Sequence, residues 1–420
     1  MRAIKPLALA IMAVLSTTAS ADNSRSVQTQ LGNNNEAEVT QEGATNSRVN
    51  QYQDGSMNVA TVDQTARSSA AAQTQFGTSL SAQAGQNGNN VQIQQSQAGA
   101  GQIAFASQFA DNSLIRQYQS NRNNSAQSVQ RNANGVESIQ RQAGVGNIVV
   151  SAQSQESSSK STVEQNGTAN DAISTQWWGS GNSIAVFQNG VSNVADSRQA
   201  AQQSTSTVEQ DGASNSTAIG QEGTNLFSAT VSVGDMNTQN VYQSGVGHYV
   251  GSTQAGNENA ASVSQYELGS SAVLDQQGDY LNADVNQRGD GQLTIINQEG
   301  EYSGVTITQD GQQNSADVAQ SGMSNTVLSN QNGLNSTLVT NSKGFSLMIT
   351  NNQDGEDLAA DFEQFGDNNT IDSTQVGVNL TASSMQNGSY NLMTASQQGS
   401  MNSFSVTQSG TSNTAIVTQR

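Results

Sequence analysis

The chain has no cysteine, one proline and one histidine in 420 residues. Without cysteine there is no disulfide and no thiolate to act as nucleophile or metal ligand. With His248 as the lone imidazole, neither a Cys/His catalytic pair nor a His-rich zinc site can be built. Hydrophobic residues make up 33% and aromatics 5%, short of the roughly 45–50% apolar content, glycine included, of ordinary globular domains. The length would otherwise suggest two or three such domains. The one long apolar run, Leu7 to Leu15, is too short for a permanent membrane helix, and no later segment reads as a span.

That run lies inside residues 1–21, which read as a secretory signal peptide: Arg2 and Lys5, then the apolar stretch, then Ala19-Ser20-Ala21 before a cleavage point. Secretion is therefore expected. Without Arg2 and Lys5 the chain holds 12 basic against 33 acidic side chains, a charge of −21. Such a balance argues against nucleic acid, which needs Lys and Arg on phosphate, and favours solubility and repulsion between chains.

What remains is Gln, Asn, Ser, Thr and Gly, a mixture common in disordered chains. Here it keeps a strict register. Every eleventh residue from 188 to 419 gives 22 positions, and 20 of them are Gln, the exceptions being Ser232 and Ser342. Gly follows two residues after most of them. The fifth residue after each Gln alternates between an Asn-rich and an Asn-poor set, so the full period is 22. Eighteen repeats run from 24 to 419; four have 23 residues, each gaining one between its last Gln and the next repeat. That segment is therefore expected to be a loop.

The skeleton S-x5-Q-x4-N-x5-Q is plain in Ser24-Gln30-Asn35-Gln41, Ser47-Gln53-Asn58-Gln64 and Ser113-Gln119-Asn124-Gln130. It recurs in Ser159-Gln165-Asn170-Gln176 and Ser204-Gln210-Asn215-Gln221, and in part in Gln254-Asn259-Gln265 and Gln408-Asn413-Gln419. Within Asn413–Gln419, Asn413, Ala415, Val417 and Gln419 share one face and Thr414, Ile416 and Thr418 the other, the period of a strand. The turn is expected to be x-G-x-x, with Gly55, Gly167, Gly212, Gly256, Gly311 and Gly410 supplying a positive φ or a close chain approach.

Strand–turn–strand–turn at this length predicts an all-β, two-sided β-solenoid over 22–420, with rungs ~4.8 Å apart. Two apolar positions per strand would meet across a thin core. The Ser, Gln and Asn skeleton would form structural ladders, with side-chain amides hydrogen-bonding to their copies above and below. An unpartnered buried amide costs about 1–3 kcal/mol, which is a physical reason for identical neighbours.

The motif S-x5-Q-x-G-x2-N-x5-Q resembles the curlin repeat of curli, the functional amyloid fibres of bacterial surfaces, over residues 24–419. The resemblance implies an extracellular fibre subunit that polymerises with itself and serves adhesion and the biofilm matrix. It also implies other curli subunits and a curlin-type outer-membrane exporter as partners. The chain departs from the family in having many more repeats, and only Asp22 and Asn23 stand between the expected cleavage point and Ser24. With no capping segment expected at either end, terminal strands would be left to pair head-to-tail with other copies.

No catalytic residue, metal ligand or cofactor site is expected, and the chain is not read as an enzyme. Gln-Asp-Gly at 53–55, 210–212, 309–311 and 353–355 is a fragment of a calcium turn without the rest of its nonapeptide. His248 stands at an Asn/Ser position and reads as a ladder substitute. Trp177 and Trp178 fall at one lengthened junction, either as ordinary packing or as a sugar- or surface-binding patch. The other functional reading is a monomeric solenoid acting as an adhesin or a surface- or ice-binding protein.

Overall fold

The computed structural model describes residues 22–420; the expected signal peptide lies outside them. Each repeat folds as one rung of a β-solenoid made of two strands. The thirty-six strands run from β1 (Arg25–Asn33) and β2 (Glu36–Gln41) to β35 (Ser403–Thr411) and β36 (Thr414–Gln419). Odd strands stack in one parallel sheet and even strands in the other. β1 pairs in register with β3 (Arg48–Ser56), so Gln30 lies opposite Gln53 and Gly32 opposite Gly55. β34 (Leu392–Ser400) pairs with β36 in the same way, Gln397 opposite Gln419. Among the described residues, β1 and β2 pair only with the rung after them, and β35 and β36 only with the rung before. Over these residues both sheets are therefore open stacks. Among the described residues there is no helix, and none long and apolar enough to cross a membrane.

The alternation of burial follows the alternation of residues. In β17 (Thr205–Ala213), Ser206, Val208 and Gln210 are buried while Glu209 and Asp211 face water. The turn, however, is shorter than x-G-x-x. β17 continues through Gln210 and Gly212 to Ala213, and the chain reverses at Ser214, whose φ is 58°. Gly212 is thus a kink inside a paired strand. Its φ is 129°, and a Cβ there would sit 2.0 Å from the carbonyl oxygen of Gly234 in the next rung. Both reasons for glycine hold at this one position.

The junction between repeats is a short loop, as expected, where a strand ends at Ser154 and the next begins at Lys160 and where one ends at Trp177 and the next begins at Ser183, but not in every lengthened repeat. In β10 (Ser125–Asn134) the extra residue of a 23-residue repeat appears as a β-bulge between Arg131 and Ala133, with Asn132 at φ 50°. The lengthened repeats place Gln155 (φ 55°) and Trp178 (φ 58°) at the same corner. A bulge absorbs one residue without moving the flanking pairs out of register.

The core is also less apolar than expected. One apolar cluster extends from Val149 to Phe404 and a second from Val49 to Ile115. Between them the facing strands meet through hydroxyls: Ser128 Oγ donates to Ser138 Oγ at 2.8 Å, and Ser151 Oγ to Ser161 Oγ at 3.0 Å. In the first six rungs one of the inner positions is Gln in place of a hydrophobe. Gln28, Gln51, Gln73, Gln95, Gln117 and Gln140 form a second amide column with contacts of 2.8–2.9 Å. Its sequence signal is Gln-x-Gln in six successive odd strands, as in Gln73-Thr-Gln75. Such a core is stable only because its polar atoms are paired.

Candidate functional site

Glutamine recurs at the corner of each strand because its amide must do two things at once. Gln53 Nε2 donates to Gln75 Oε1 in the next rung at 2.8 Å and to Glu36 O of the facing strand at 2.9 Å. The first bond runs along the rod and the second ties the two sheets at the corner. In the even sheet the column is unbroken. From Gln41 through Gln64, Gln130, Gln176, Gln221 and Gln265 to Gln419, seventeen amide–amide bonds of 2.7–3.4 Å join eighteen residues. In every one the earlier residue's Nε2 donates to the later residue's Oε1. The column is polar from end to end.

The odd column has the same polarity but is interrupted. Gln30, Gln53, Gln119, Gln165 and Gln210 belong to its first segment. Gln254 begins the second segment and Gln408 ends the third. The gaps are Ser232 and Ser342. At the first, Gln239 reaches across from the other sheet and donates to Ser232 Oγ at 2.9 Å. At the second nothing crosses, and Gln320 Nε2, Ser342 Oγ and Gln364 Oε1 are all buried without partners among the described residues.

Asparagine works differently from the amide-on-amide stacking expected of it. Asn193 Oδ1 accepts the backbone N–H of Asn215 in the next rung at 3.0 Å, and Asn193 Nδ2 donates to Gly212 O at 3.0 Å and to Asn189 O at 3.1 Å. The side chain satisfies the backbone of the tight corner. Asn35, Asn124, Asn170, Asn215 and Asn259 accept the following rung's N–H in the same way, and Asn58 accepts that of Leu80. Within this ladder amide-on-amide contact occurs only near the last rungs, where Asn413 Nδ2 donates to Asn391 Oδ1 at 2.9 Å. The serines do half of this work: the Oγ atoms of Ser24, Ser47, Ser113, Ser159 and Ser204 accept the N–H one rung on.

His248 copies asparagine with a ring. Nδ1 accepts the N–H of Ser270 at 3.2 Å, and Nε2 lies 3.2 Å from Ser244 O. These contacts need the neutral Nε2–H tautomer. Burial holds the imidazole pKa below its ordinary value.

The turn glycines lie in or beside the strands. Gly55, Gly167, Gly212 and Gly311 are inside them, Gly256 follows one directly, and Gly410 is in β35. The next rung's carbonyl occupies the place of a Cβ because that oxygen accepts the Asn Nδ2 donor, as Gly212 O does from Asn193. Gly and Asn are two halves of one corner.

One group fits none of these columns. Glu156 is 2% exposed in the lengthened corner. Its carboxylate accepts from Ser159 Oγ at 2.6 Å, from Asn182 Nδ2 at 3.3 Å and from the backbone of Gly179. Burial pushes its pKa above the usual carboxylate range, against the opposing effect of those bonds. Trp178 is 71% exposed beside it, whereas Trp177 is half-buried at the end of β14 (Asp171–Trp177). No group of acidic, His or Cys side chains suited to a metal ion occurs among the described residues. No protein-family model matches the chain, and no curated protein is found as a relative.

Proposed function

We propose that this protein is the structural subunit of an extracellular, curli-like amyloid fibre, polymerising head-to-tail through its terminal rungs and serving adhesion and the biofilm matrix. The observation that carries the reading is the common polarity of the glutamine columns. Among the described residues nothing donates to Gln30 Oε1 or Gln41 Oε1, and the amides of Gln408 and Gln419 each keep one N–H free after bonding Leu392 O and Ser403 O. One end of the rod is an acceptor surface and the other a donor surface with the same spacing.

A second copy placed end-on continues both columns, Gln408 to Gln30 and Gln419 to Gln41 of the partner copy. Reversed, two donor faces meet, and each unpaired amide costs about 1–3 kcal/mol. The contact is heterologous and does not close, so it propagates as a filament. The backbone edges of β1, β2, β35 and β36 supply the rest of the junction. The curlin-like motif adds the remainder of the proposal: an outer-membrane exporter and other curli subunits as partners.

Seeded growth followed by amyloid-dye fluorescence tests it. Ser405→Pro with Ile416→Pro removes two last-rung N–H groups that face the incoming copy, on the side to which Thr381 and Leu392 donate one rung earlier, and elongation should slow severely while the other seventeen rungs fold. The same pair placed in a middle rung should damage the fold itself. Elongation of the end-blocked variant at the wild-type rate would show that copies do not join through these rungs.

A further inference from the structure

We propose that the lengthened corner is a binding site for a neutral glycan lying along the rod, with Trp178 and Phe109 as its stacking platforms. Three successive repeats each insert a residue at this corner, Asn132, Gln155 and Trp178, all with positive φ. The fourth lengthened repeat stands alone, at the first rung. The bulged ridge walls a groove with a volume of about 810 Å³, within the range of ligand sites, roughly 300–1,000 Å³.

The groove's chemistry selects the class of ligand. Phe109, at the end of β8 (Ile103–Asp111), is 54% exposed, and Trp178 is 71% exposed. They stand three rungs apart, roughly 14 Å at the usual strand spacing, the length of a short oligosaccharide. The floor is small: Ala110 and Ala133 between the two rings, and Gly88 one rung before Phe109. The walls are amides, with Asn134 Oδ1 accepting from Asn112 Nδ2 at 3.0 Å beside Asn132 and Gln155. A pyranose offers an apolar C–H face to an aromatic ring and a rim of hydroxyls to amides that both donate and accept. Asp111 and Glu156 line the groove and no lysine or arginine does, while Arg131, paired with Phe109 one rung on, is exposed at its edge. Phosphate, sulfate and uronate groups seated in the groove would therefore meet two acids, with Arg131 only at one edge.

Glu156 positions the platform. Its carboxylate accepts from the backbone of Gly179, the residue after Trp178, while the Trp178 backbone N–H donates to Ser154 O at 3.1 Å. Together these hold the exposed indole over the groove. A carboxylate in place of the alanine that stands in this column at Ala110, Ala133 and Ala201 is otherwise a cost without return.

The mature protein, titrated with cello-oligosaccharides, N-acetylated chito-oligosaccharides and alginate oligomers, tests the site through tryptophan fluorescence and affinity electrophoresis. A neutral oligosaccharide should shift the emission saturably and retard the protein; alginate should not. Trp178→Ala and Phe109→Ala should each weaken retardation at least tenfold with the β-sheet circular dichroism unchanged. Glu156→Ala should weaken it, and Glu156→Gln, which keeps an acceptor for Gly179, should restore it. The proposal fails if neither neutral series binds, if alginate binds equally well, or if Trp178→Ala binds like the wild type.

Discussion

Gln320 Nε2 and Gln364 Oε1 are a buried donor and a buried acceptor, two rungs apart in one column, and Ser342 between them reaches neither. Elsewhere in the odd sheet, Ser232 apart, a glutamine fills this place. Ser342→Gln should complete the column and raise stability by about 2 kcal/mol, from two new bonds and two orphaned atoms satisfied. The denaturation midpoint and slower amide exchange in the flanking rungs would register it. Ser232→Gln is the contrast: Gln239 already occupies that space at 2.9 Å from Ser232 Oγ, so crowding should make it neutral or destabilising. Equal gains from both would contradict the assignment of the two gaps.

Gly311→Ala should be among the most damaging single-methyl additions. Its Cβ would lie 1.9 Å from Gly333 O at a φ of 117°, so two neighbouring rungs would have to separate. Gly269, with φ 62° and nothing within 4 Å of its Cβ position, should cost only about 1 kcal/mol on the same change. Thermal unfolding of the two variants gives the comparison.

Insertion tolerance should follow the bulge. One Gly added after Glu222, the corner position that takes Asn132, Gln155 and Trp178 in the lengthened repeats, should leave assembly intact. One Gly after Ala261, inside a paired strand of the core, exchanges the faces of the following residues and should abolish the fold. Circular dichroism and fibre yield separate these outcomes.

Two buried groups should give opposite pH dependences. The Glu156 pKa is raised by burial, so its contribution is full below the ordinary carboxylate value and is lost as pH rises through the folded value. Glu156→Gln should remove this loss. The His248 pKa is lowered by burial, so the unfolded chain binds the proton first and stability falls as pH drops below the ordinary imidazole range. His248→Asn should flatten that limb, because Asn makes the same two kinds of contact without titrating. Denaturation midpoints between pH 4 and 8 would read both.

The repeat alone specifies the fold class, the number of rungs and which positions point inward. Gln53, Gln210 and Gln419 recur at fixed intervals because a stacked rung places each residue on its own copy, and that regularity is visible without coordinates. The partners of the hydrogen bonds are not. Gln and Asn are both amides at strand ends, yet Gln is long enough to reach its copy and the facing sheet at once. The shorter Asn215 stays within the corner and serves the backbone there, accepting the N–H of Asn237 at 2.9 Å and donating to Gly234 O at 2.7 Å.

Four other features emerge only from the packed chain. Strands run on through their glycines, because the corner needs just one residue of left-handed φ, such as Ser214. The extra residue at Asn132 becomes a bulge within a strand, whereas Gln155 and Trp178 fall in short loops, because pairing on both sides holds the flanking strands in register. The second glutamine column, from Gln28 to Gln140, makes part of the core polar, since each amide there meets its own copy. The environment of Glu156 depends on Ser159, Asn182 and Gly179, the last two brought beside it from one rung on. A repeat fixes what lies above and below a residue; what lies across the core and around a corner depends on side-chain reach, and that is settled by packing.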